Sequence, residues 1–392
     1  MTSIYLDYNA TTPLDDRVLI EMLPWLTSQF WNAASSHAAG EVARGAVEAA
    51  RRQVATLIGA RPREVVFTSG STEANNLALK GVSGARPAGR DTLLVSSIEH
   101  KAVLDAAGWL EEQGLNVQLI PVRKDGEIDV EELGQLMGEH VLLASVMLAN
   151  NETGVLQPLQ RVSSLASRHG VLVHTDATQA VGKLPVDVES LGVDLLSLSA
   201  HKFYGPKGVG ALYIRRGVQL EAQQHGGGHE SGVRSGTLNV PGIVGLGAAA
   251  EMLTDEVVRE SALSESTLVE KLTAGLVSAI PGASPVGSAR RLPNTVCLHF
   301  PGADAEAVMA NMPDVWVSTG SACTARVPEP SHVLIAMGLS RQQAYECIRY
   351  SVGRSTTSEE IRTAVERSAV AVERVRMLTE SDTNLDIERI PT

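Results

Sequence analysis

The feature that most constrains the fold of this chain is a repeated alternation of short, almost wholly apolar runs with longer segments of helical periodicity. The apolar runs predict seven strands, at 65–68, 92–96, 117–121, 141–147, 171–175, 195–198 and 210–214. Strands that are apolar on both faces are typical of sheets covered by helices on both sides. Helical patterns fall between them, as at 41–57 and 159–169. The alternation predicts an α/β fold with a large domain built on a mainly parallel seven-stranded sheet.

The pattern changes after about Glu251, where a smaller α+β domain is predicted. Its predicted elements are a helix at 257–280, strands at 295–300 and 315–318, a helix at 303–312, and a last helix that runs to about Leu378. Thr357 and Glu360 form a capping box that opens this last helix. We therefore predict a large domain at 12–255 and a small domain composed of 1–11 and 256–380. The polar residues 381–392 lack periodicity and are expected to form a tail.

Composition narrows the class of protein. The 392 residues carry a formal net charge of -12, which argues against direct nucleic-acid binding. The three cysteines, Cys297, Cys323 and Cys347, form no C-x-x-C pair, so we expect free thiols in a reducing cytoplasm. We expect no signal peptide, because the first residues lack a basic and then apolar stretch, and no membrane span, because the apolar runs are too short.

Asp176 and Lys202 each follow an apolar run, and together they indicate a particular chemistry. A lysine can form a Schiff base with pyridoxal phosphate (PLP), and an aspartate can keep the pyridine nitrogen of PLP protonated, which makes the ring an electron sink. Gly70, Ser71 and Thr72 lead from a strand into a helix, whose free N–H groups suit a phosphate. Taken singly, these residues fit a surface lysine, a turn aspartate and a simple N-cap equally well. Their combination favours a PLP site.

Cys323 lies in the segment Ser-Thr-Gly-Ser-Ala-Cys-Thr, whose small polar residues indicate a loop. Cys297 fits the usual role of a small buried apolar residue, and so does Cys347, which we place in a helical segment. The loop of Cys323 continues to His332, long enough for one thiol to reach both a cofactor and an external acceptor. Cys323 is therefore a candidate reactive thiol.

Motifs along nearly the whole chain resemble those of the class V, fold type I PLP enzymes, and within them the cysteine desulfurases of the NifS/IscS type. They are 5–13 (YLDYNATTP), 70–76 (GSTEANN), Glu99-His100, 150–154 (NNETG), 174–179 (HTDATQ), 199–202 (SAHK), 226–230 (GGGHE), 234–237 (RSGT) and 321–323 (SAC).

The resemblance implies a role for each site residue. Lys202 would carry PLP, Asp176 would pair with the pyridine nitrogen, Gln179 with the ring hydroxyl, and His100 would stack on the ring and shuttle protons. Asn151 would line the pocket beside the cofactor and the substrate. The residues implied to hold the phosphate are Ser71, Thr72, Ser199, His201 and, from the neighbouring subunit of a homodimer, Thr237.

The same resemblance implies the reaction. Arg349 would bind the carboxylate of L-cysteine through a bidentate contact. Lys202 would remove the Cα proton, Cys323 would attack the substrate sulfur and keep it as a persulfide, and L-alanine would leave. The sulfur would pass to an acceptor protein for iron–sulfur cluster assembly, tRNA thiolation or DNA phosphorothioation. No metal site is implied beyond a transient contact of Cys323 with an iron–sulfur cluster.

Three alternatives stay open on the sequence. A class V aminotransferase would share Lys202 and Asp176 without needing Cys323, a selenocysteine lyase would share all three, and a scaffold protein would lack catalytic residues. One segment departs from the relatives, which usually read Gly-Asn-Pro-Ser-Ser where this chain has Trp31-Asn-Ala-Ala-Ser-Ser. We expect Trp31 to alter the pocket rim or the dimer contact.

Overall fold

The computed structural model describes residues 3–319 and 329–387. The strands are β1 Ile4–Tyr5, β2 Val65–Thr68, β3 Thr92–Ser96, β4 Asn116–Ile120, β5 Val141–Ser145, β6 Leu172–Asp176, β7 Leu195–Ser199, β8 Gly210–Ile214, β9 Ser284–Pro285, β10 Thr295–His299, β11 Val315–Trp316 and β12 Cys347–Ser351. The helices are α1 Asp16–Leu26, α2 Ala38–Leu57, α3 Ser71–Gly84, α4 Lys101–Glu112, α5 Val130–Leu136, α6 Leu159–His169, α7 Val188–Leu191, α8 Val240–Glu251, α9 Asp255–Ala279, α10 Ala305–Ala310, α11 His332–Ala336, α12 Arg341–Tyr345 and α13 Ser358–Ile387.

The large sheet has the seven strands that the apolar runs predict, in the order β2-β8-β7-β6-β5-β3-β4. β8 pairs antiparallel with both β2 and β7, whereas β7, β6, β5, β3 and β4 pair parallel with one another. The predicted α/β fold with a mainly parallel seven-stranded sheet is confirmed. The carboxyl ends of all strands except β8 therefore meet at one edge.

Helices cover both faces of this sheet. On β3, Leu94 packs into one apolar cluster, and its neighbours Leu93 and Val95 pack into another on the opposite face. The first cluster includes residues of α2, α6 and α8, and the second includes residues of α3 and α4. Trp31 packs against the first cluster, so its indole ring contributes to the core beside the large sheet.

A separate apolar core lies in the C-terminal part, which also recruits the N-terminal strand. Strands β12, β10 and β9 form an antiparallel sheet, and β1 pairs parallel with β11. Leu6, Leu272, Leu298, Tyr350 and Ile361 share this core. The separate cores agree with a large and a small domain, and the boundaries at 11/12 and 255/256 stay a prediction.

Two local predictions are wrong. Cys347 is the first residue of strand β12, not part of a helix, because Ile348 and Tyr350 suit a strand and the segment pairs in register with β10. The last helix begins at Ser358, where the predicted capping box places it: Thr357 N donates to Glu360 Oε2, and Glu360 N donates to Thr357 Oγ1. It continues to Ile387 instead of ending near Leu378, since no Gly or Pro interrupts it before Pro391.

No helix in the described ranges combines the length and the apolar character that crossing a bilayer requires.

Candidate active site

The predicted site residues gather at the carboxyl edge of the large sheet. Ser71 begins α3 just after β2, and His100 is the residue before α4, which follows β3. Asn151 follows β5, Asp176 ends β6, and Lys202 ends a single 3₁₀ turn after β7. Open parallel sheets bind ligands outside this edge, because loops from neighbouring strands diverge there. The fold thus brings to one edge residues far apart in sequence.

Asp176 is a buried carboxylate that is held on both oxygens. Asn75 Nδ2 donates to Asp176 Oδ2 at 2.7 Å, and the backbone N–H of Thr178 donates to Asp176 Oδ1 at 2.9 Å. Two hydrogen bonds, one to each oxygen, fix the orientation of the carboxyl group. The Asp176 side chain is therefore held in one orientation, in which it can accept a hydrogen bond from a ligand N–H group.

The Lys202 ammonium reaches across to the N-terminal segment of the chain. Its Nζ donates to the carbonyl oxygen of Asn9 at 2.7 Å and to that of Ala10 at 2.8 Å. Asn9 O also accepts from Gln179 Nε2 at 2.9 Å. Lys202 and Gln179 are thus both hydrogen-bonded to the same short segment, which contains Asn9 and Ala10.

His100 lies where the charges of both Asp176 and Lys202 act on it. Burial lowers the pKa of His100. The charge of Asp176 raises that pKa, and the charge of Lys202 lowers it. Its Nδ1 accepts a hydrogen bond from the backbone N–H of Ala102 at 3.1 Å, as the N-cap of α4. A neutral His100 with Nδ1 as acceptor carries its proton on Nε2. His100 is thus a neutral donor at neutral pH.

The start of α3 has the features of an anion site. Gly70 is the N-cap residue, and no side chain caps the free N–H groups of this turn, which Ser71 and Thr72 begin. The Ser199 hydroxyl lies beside it, since a Cβ placed on Gly70 would be 3.6 Å from Ser199 Oγ. A Cβ on Gly210 would come within 2.7 Å of Gly70 Cα, so glycine is required there. Uncapped N–H groups and the helix dipole favour a phosphate.

His201 follows Ser199 and stays neutral. Burial, and then the charges of Lys202 and Lys207, lower the pKa of His201 to about 4. Its Nδ1 lies 3.1 Å from Thr11 Oγ1, a second contact with the N-terminal segment. His201 is therefore placed as a neutral hydrogen-bonding group.

Arg349 on β12 lies beside Asn151. Its Nη1 donates to the carbonyl oxygen of Asn151 at 2.9 Å, and its Nη2 contacts Asp7 Oδ1 at 2.5 Å. Arg349 Nε is buried and has no hydrogen-bond partner among the residues that the structure describes. The guanidinium is therefore fixed in place while its Nε–H still lacks an acceptor among the described residues.

Cys323 lies outside the described residues, but both segments that flank it contact the site. Before it, Ser318 and Arg349 exchange backbone hydrogen bonds, with Arg349 N to Ser318 O at 2.7 Å. After it, Ser331 Oγ donates to the buried Glu152, and His332 Nε2 lies 2.9 Å from the carbonyl oxygen of Glu99. The described residues on either side of this segment, Ser318 before it and Ser331 and His332 after it, thus contact Arg349, Glu152 and Glu99, which adjoin Asn151 or His100.

Thr237 is exposed and belongs to a segment that α2 and α3 hold in place. Glu230 forms a buried ion pair with Arg51, Nη2 to Oε1 at 2.7 Å, and also accepts from Phe67 N at 2.8 Å. Arg234 pairs with Glu73 at 2.7 Å. Glu230 and Ser231 have φ values of 48° and 57°, a left-handed conformation that these anchors must stabilise. This segment presents Thr237 on the surface of the subunit.

Three residues of the site received no role from the sequence. Asn9 accepts hydrogen bonds from Lys202, Gln179 and Lys183. Asn75 donates to Asp176. Lys183 donates to Gln179 Oε1 at 2.7 Å and to Asn9 Oδ1 at 2.9 Å. Asn9 and Asn75 fall inside the motifs at 5–13 and 70–76, which was the available signal. Lys183 follows Gln179 by four positions, a spacing that a regular helix would use but that here spans a turn.

These residues fit PLP. An amine, a fixed carboxylate and an uncapped helix start correspond to the aldehyde, the pyridine nitrogen and the phosphate of that cofactor. The buried atoms Asn75 Oδ1, Thr175 Oγ1 and Thr178 Oγ1 lack hydrogen-bond partners within the described ranges. Such orphaned polar atoms around Asp176 are expected where a polar ligand completes a site.

Comparison with known proteins gives the same picture. The aminotransferase class-V family model matches residues 4–363. A cysteine desulfurase IscS of Anaeromyxobacter sp. (strain Fw109-5) is 50% identical over 381 residues, which cover 96% of this chain and 93% of that protein. A solved NifS-like protein is 39% identical with a TM-score of 0.89, and the match covers 95% of this chain and 100% of the other. A solved structure of SspA in complex with cysteine is 36% identical with a TM-score of 0.81, covering 91% of this chain and 100% of the other.

Proposed function

This chain belongs to the aminotransferase class-V family, in its cysteine desulfurase branch of the NifS/IscS type, and we propose how its residues divide the reaction among them. The enzyme depends on PLP and converts L-cysteine to L-alanine. The observation that carries the proposal is the convergence of Lys202, Asp176 and the uncapped start of α3 at one sheet edge, with the loop of Cys323 anchored beside them.

The residues that would hold the cofactor follow from the contacts described above. Lys202 would bind its aldehyde carbon, Asp176 its pyridine nitrogen and Gln179 its ring hydroxyl. Its phosphate would lie at the start of α3, among Ser71, Thr72, Ser199 and His201. When bound, PLP supplies an electron sink that makes the Cα proton of the substrate acidic.

The protein groups move protons and hold the substrate. Arg349 would bind the substrate carboxylate, because its guanidinium is buried beside Asn151 and has an unsatisfied Nε–H. Lys202 Nζ would be the base for the Cα proton. His100, neutral with its proton on Nε2, would act as donor beside it. Asn151 would line the substrate side of the pocket.

Cys323 would take the sulfur. Its thiolate attacks the sulfur of the substrate, the Cβ–S bond breaks, and a persulfide forms on Cys323 while L-alanine is released. One cysteine and one protein thiol thus give one alanine and one persulfide, so no external oxidant is needed. The anchors at Arg349 and Glu152 support this role, because they fix the ends of the loop next to the substrate groups.

The finer features of the proposal concern partners. We propose a homodimer in which the exposed Thr237 reaches the phosphate of the other subunit, and a sulfur-acceptor protein that serves iron–sulfur cluster assembly, tRNA thiolation or DNA phosphorothioation. We place the enzyme in the reducing cytoplasm, because the thiol of Cys323 must be regenerated. Light scattering tests the dimer, and mass spectrometry of persulfide on copurified proteins tests the acceptor.

The central experiment incubates the purified protein with L-cysteine and dithiothreitol without a keto acid. We expect sulfide and alanine in equal amounts, and a persulfide on Cys323 when the reductant is omitted. Alanine formation that requires a keto acid would instead indicate an aminotransferase, and a much higher rate with selenocysteine would indicate a lyase for that substrate.

Two variants separate the assignments. Lys202→Ala should lose the visible absorbance of the bound cofactor after removal of free PLP, and Cys323→Ser should keep that absorbance but stop releasing sulfide. A Lys202→Ala protein that stays yellow overturns the assignment of Lys202. Sulfide release at the wild-type rate by Cys323→Ser overturns that of Cys323.

A further inference from the structure

Lys183 is a second lysine near Lys202, and it is buried. It lies in the turn after β6, and 6% of its surface is exposed. Its Nζ donates to Gln179 Oε1 at 2.7 Å and to Asn9 Oδ1 at 2.9 Å. A buried ammonium is costly unless it is hydrogen-bonded, so a fold retains one only where its bonds are well placed. The reaction described above does not use this group.

One acceptor of Lys183, Asn9, also contacts Lys202, and the other, Gln179, is the residue proposed to contact the cofactor. The backbone oxygen of Asn9 accepts from Lys202 Nζ at 2.7 Å and from Gln179 Nε2 at 2.9 Å. The Asn9 side chain also donates from Nδ2 to Thr295 Oγ1 at 2.9 Å. Asn9 therefore joins both lysines in one hydrogen-bonded cluster.

Lys183 also decides which way the Gln179 amide faces. Lysine only donates, so the atom of Gln179 that it contacts must be the oxygen. The nitrogen is then directed to the Asn9 carbonyl, and its second N–H would serve the ring hydroxyl that the proposed function assigns to Gln179. A flipped amide would place two donors against each other.

We propose that Lys183 is a positioning residue for the cofactor: it fixes the amides of Gln179 and Asn9 and places a second buried amine, charged when protonated, in the same hydrogen-bonded cluster as Lys202. The inference rests on the proposed role of Lys202, and it adds a residue that controls how that lysine and the bound cofactor ionise.

The charges around Lys183 support this role. Burial, and then the charge of Lys202, lower the pKa of Lys183 to about 7, while Glu265 on α9 raises it and Arg349 on β12 lowers it further. Burial raises the pKa of Glu265 to about 7, and Lys183 and Arg354 oppose that rise. Lys183 and Lys202 therefore repel each other when both are charged, and each makes the other easier to deprotonate.

The test follows the visible absorbance of the bound cofactor as the pH changes, in wild type, Lys183→Met and Lys183→Gln. Met removes both the charge and the donor, whereas Gln removes the charge and keeps an N–H donor. We expect the pH midpoint of the absorbance change to rise by up to about one unit in both variants, because removal of a nearby like charge makes protonation easier. Lys124→Met, which removes an exposed charge, is the control and should leave the midpoint unchanged.

The affinity for PLP separates the two effects of Lys183, its hydrogen bond to Gln179 and its charge. The dissociation constant for PLP, measured by equilibrium dialysis, should increase about 3- to 10-fold in Lys183→Met, the range of one lost hydrogen bond, and less in Lys183→Gln. A midpoint in Lys183→Gln equal to that of wild type overturns the charge effect, and unchanged retention in Lys183→Met overturns the positioning of Gln179.

Two further measurements keep the inference open to refutation. Should Lys183→Met fail to fold, the wild-type titration still decides, because two coupled groups give a curve broader than a single ionisation. A single-ionisation curve overturns the inference. Lys202→Ala is measured in parallel, and if it keeps the absorbance then the proposed function fails, whatever the Lys183 variants show.

Discussion

Asn75 Nδ2 donates a hydrogen bond of 2.7 Å to Asp176 Oδ2, and it does so from a helix that begins at the proposed phosphate site. One residue of α3 thereby fixes the carboxylate at the end of β6. In the proposed site this helix would serve both ends of the cofactor, with its uncapped N–H groups for the phosphate and Asn75 for the partner of the ring nitrogen.

Asn75→Ala should weaken the hold on Asp176. A lost hydrogen bond to a charged group costs about 1.5–3 kcal/mol, so we expect cofactor affinity to fall by about 10-fold or more. Equilibrium dialysis with PLP measures it. The control is Asn76→Ala in the same helix, because Asn76 Nδ2 donates to Thr72 O and does not contact Asp176. Equal affinities of the two variants would contradict the role of Asn75.

His174 should make stability depend on pH. Its Nδ1 lies 2.8 Å from Ser145 Oγ and its Nε2 lies 3.1 Å from Ser197 Oγ, and burial lowers the pKa of His174 to about 4. The unfolded chain takes up this proton below about pH 6.5, whereas the folded protein does not. The contribution of neutral His174 is complete above that pH and is lost as the pH falls toward 4.

The measurement compares wild type with His174→Gln by urea unfolding at pH 7 and pH 5. Wild type should lose about 2 kcal/mol more than the variant between these pH values, from the linkage of one proton. A pH dependence that is identical in both proteins would show that His174 does not bind a proton on unfolding in this range.

Arg349→Lys should impair binding of L-cysteine. Lysine keeps the charge but cannot make a bidentate contact with a carboxylate, and the lost bond is worth about 1.5–3 kcal/mol. Steady-state kinetics should therefore show KM rising about 10- to 100-fold, with a smaller change in kcat. Asp7→Asn keeps the arginine and removes its present ionic partner, and should leave KM closer to wild type. An unchanged KM in Arg349→Lys counts against this substrate contact.

The ion pair between Arg51 and Glu230 should be essential to the segment that carries Thr237. Glu230→Ala leaves the largely buried Arg51 without its main partner, and breaking such a pair costs about 3–5 kcal/mol. Glu48 contacts the same arginine at 3.1 Å from an exposed position, so Glu48→Ala should cost at most about 1 kcal/mol. Denaturant unfolding of both variants tests the difference, and similar losses would refute it.

The sequence was most informative where a structural signal is local. The strands at 65–68, 92–96 and 210–214 have the predicted bounds, because the polar residues on either side of a short apolar run mark where the strand begins and ends. Cys347 was misplaced, because its strand becomes evident only from pairing with β10. The five residues 347–351 do not themselves reveal that another strand lies beside them.

The sequence by itself determined the α/β architecture and indicated candidate residues for the chemistry, since apolar periodicity and the reactivity of lysine, aspartate and cysteine are properties of the chain. Only the tertiary structure decided which polar atoms meet. Asn9 contacts Thr295, Lys183 and Lys202, and Arg349 contacts Asp7, across separations in sequence that no local pattern spans. The physical reason is that hydrogen bonds and buried charges depend on distances of a few ångströms, which exist only after the elements have packed.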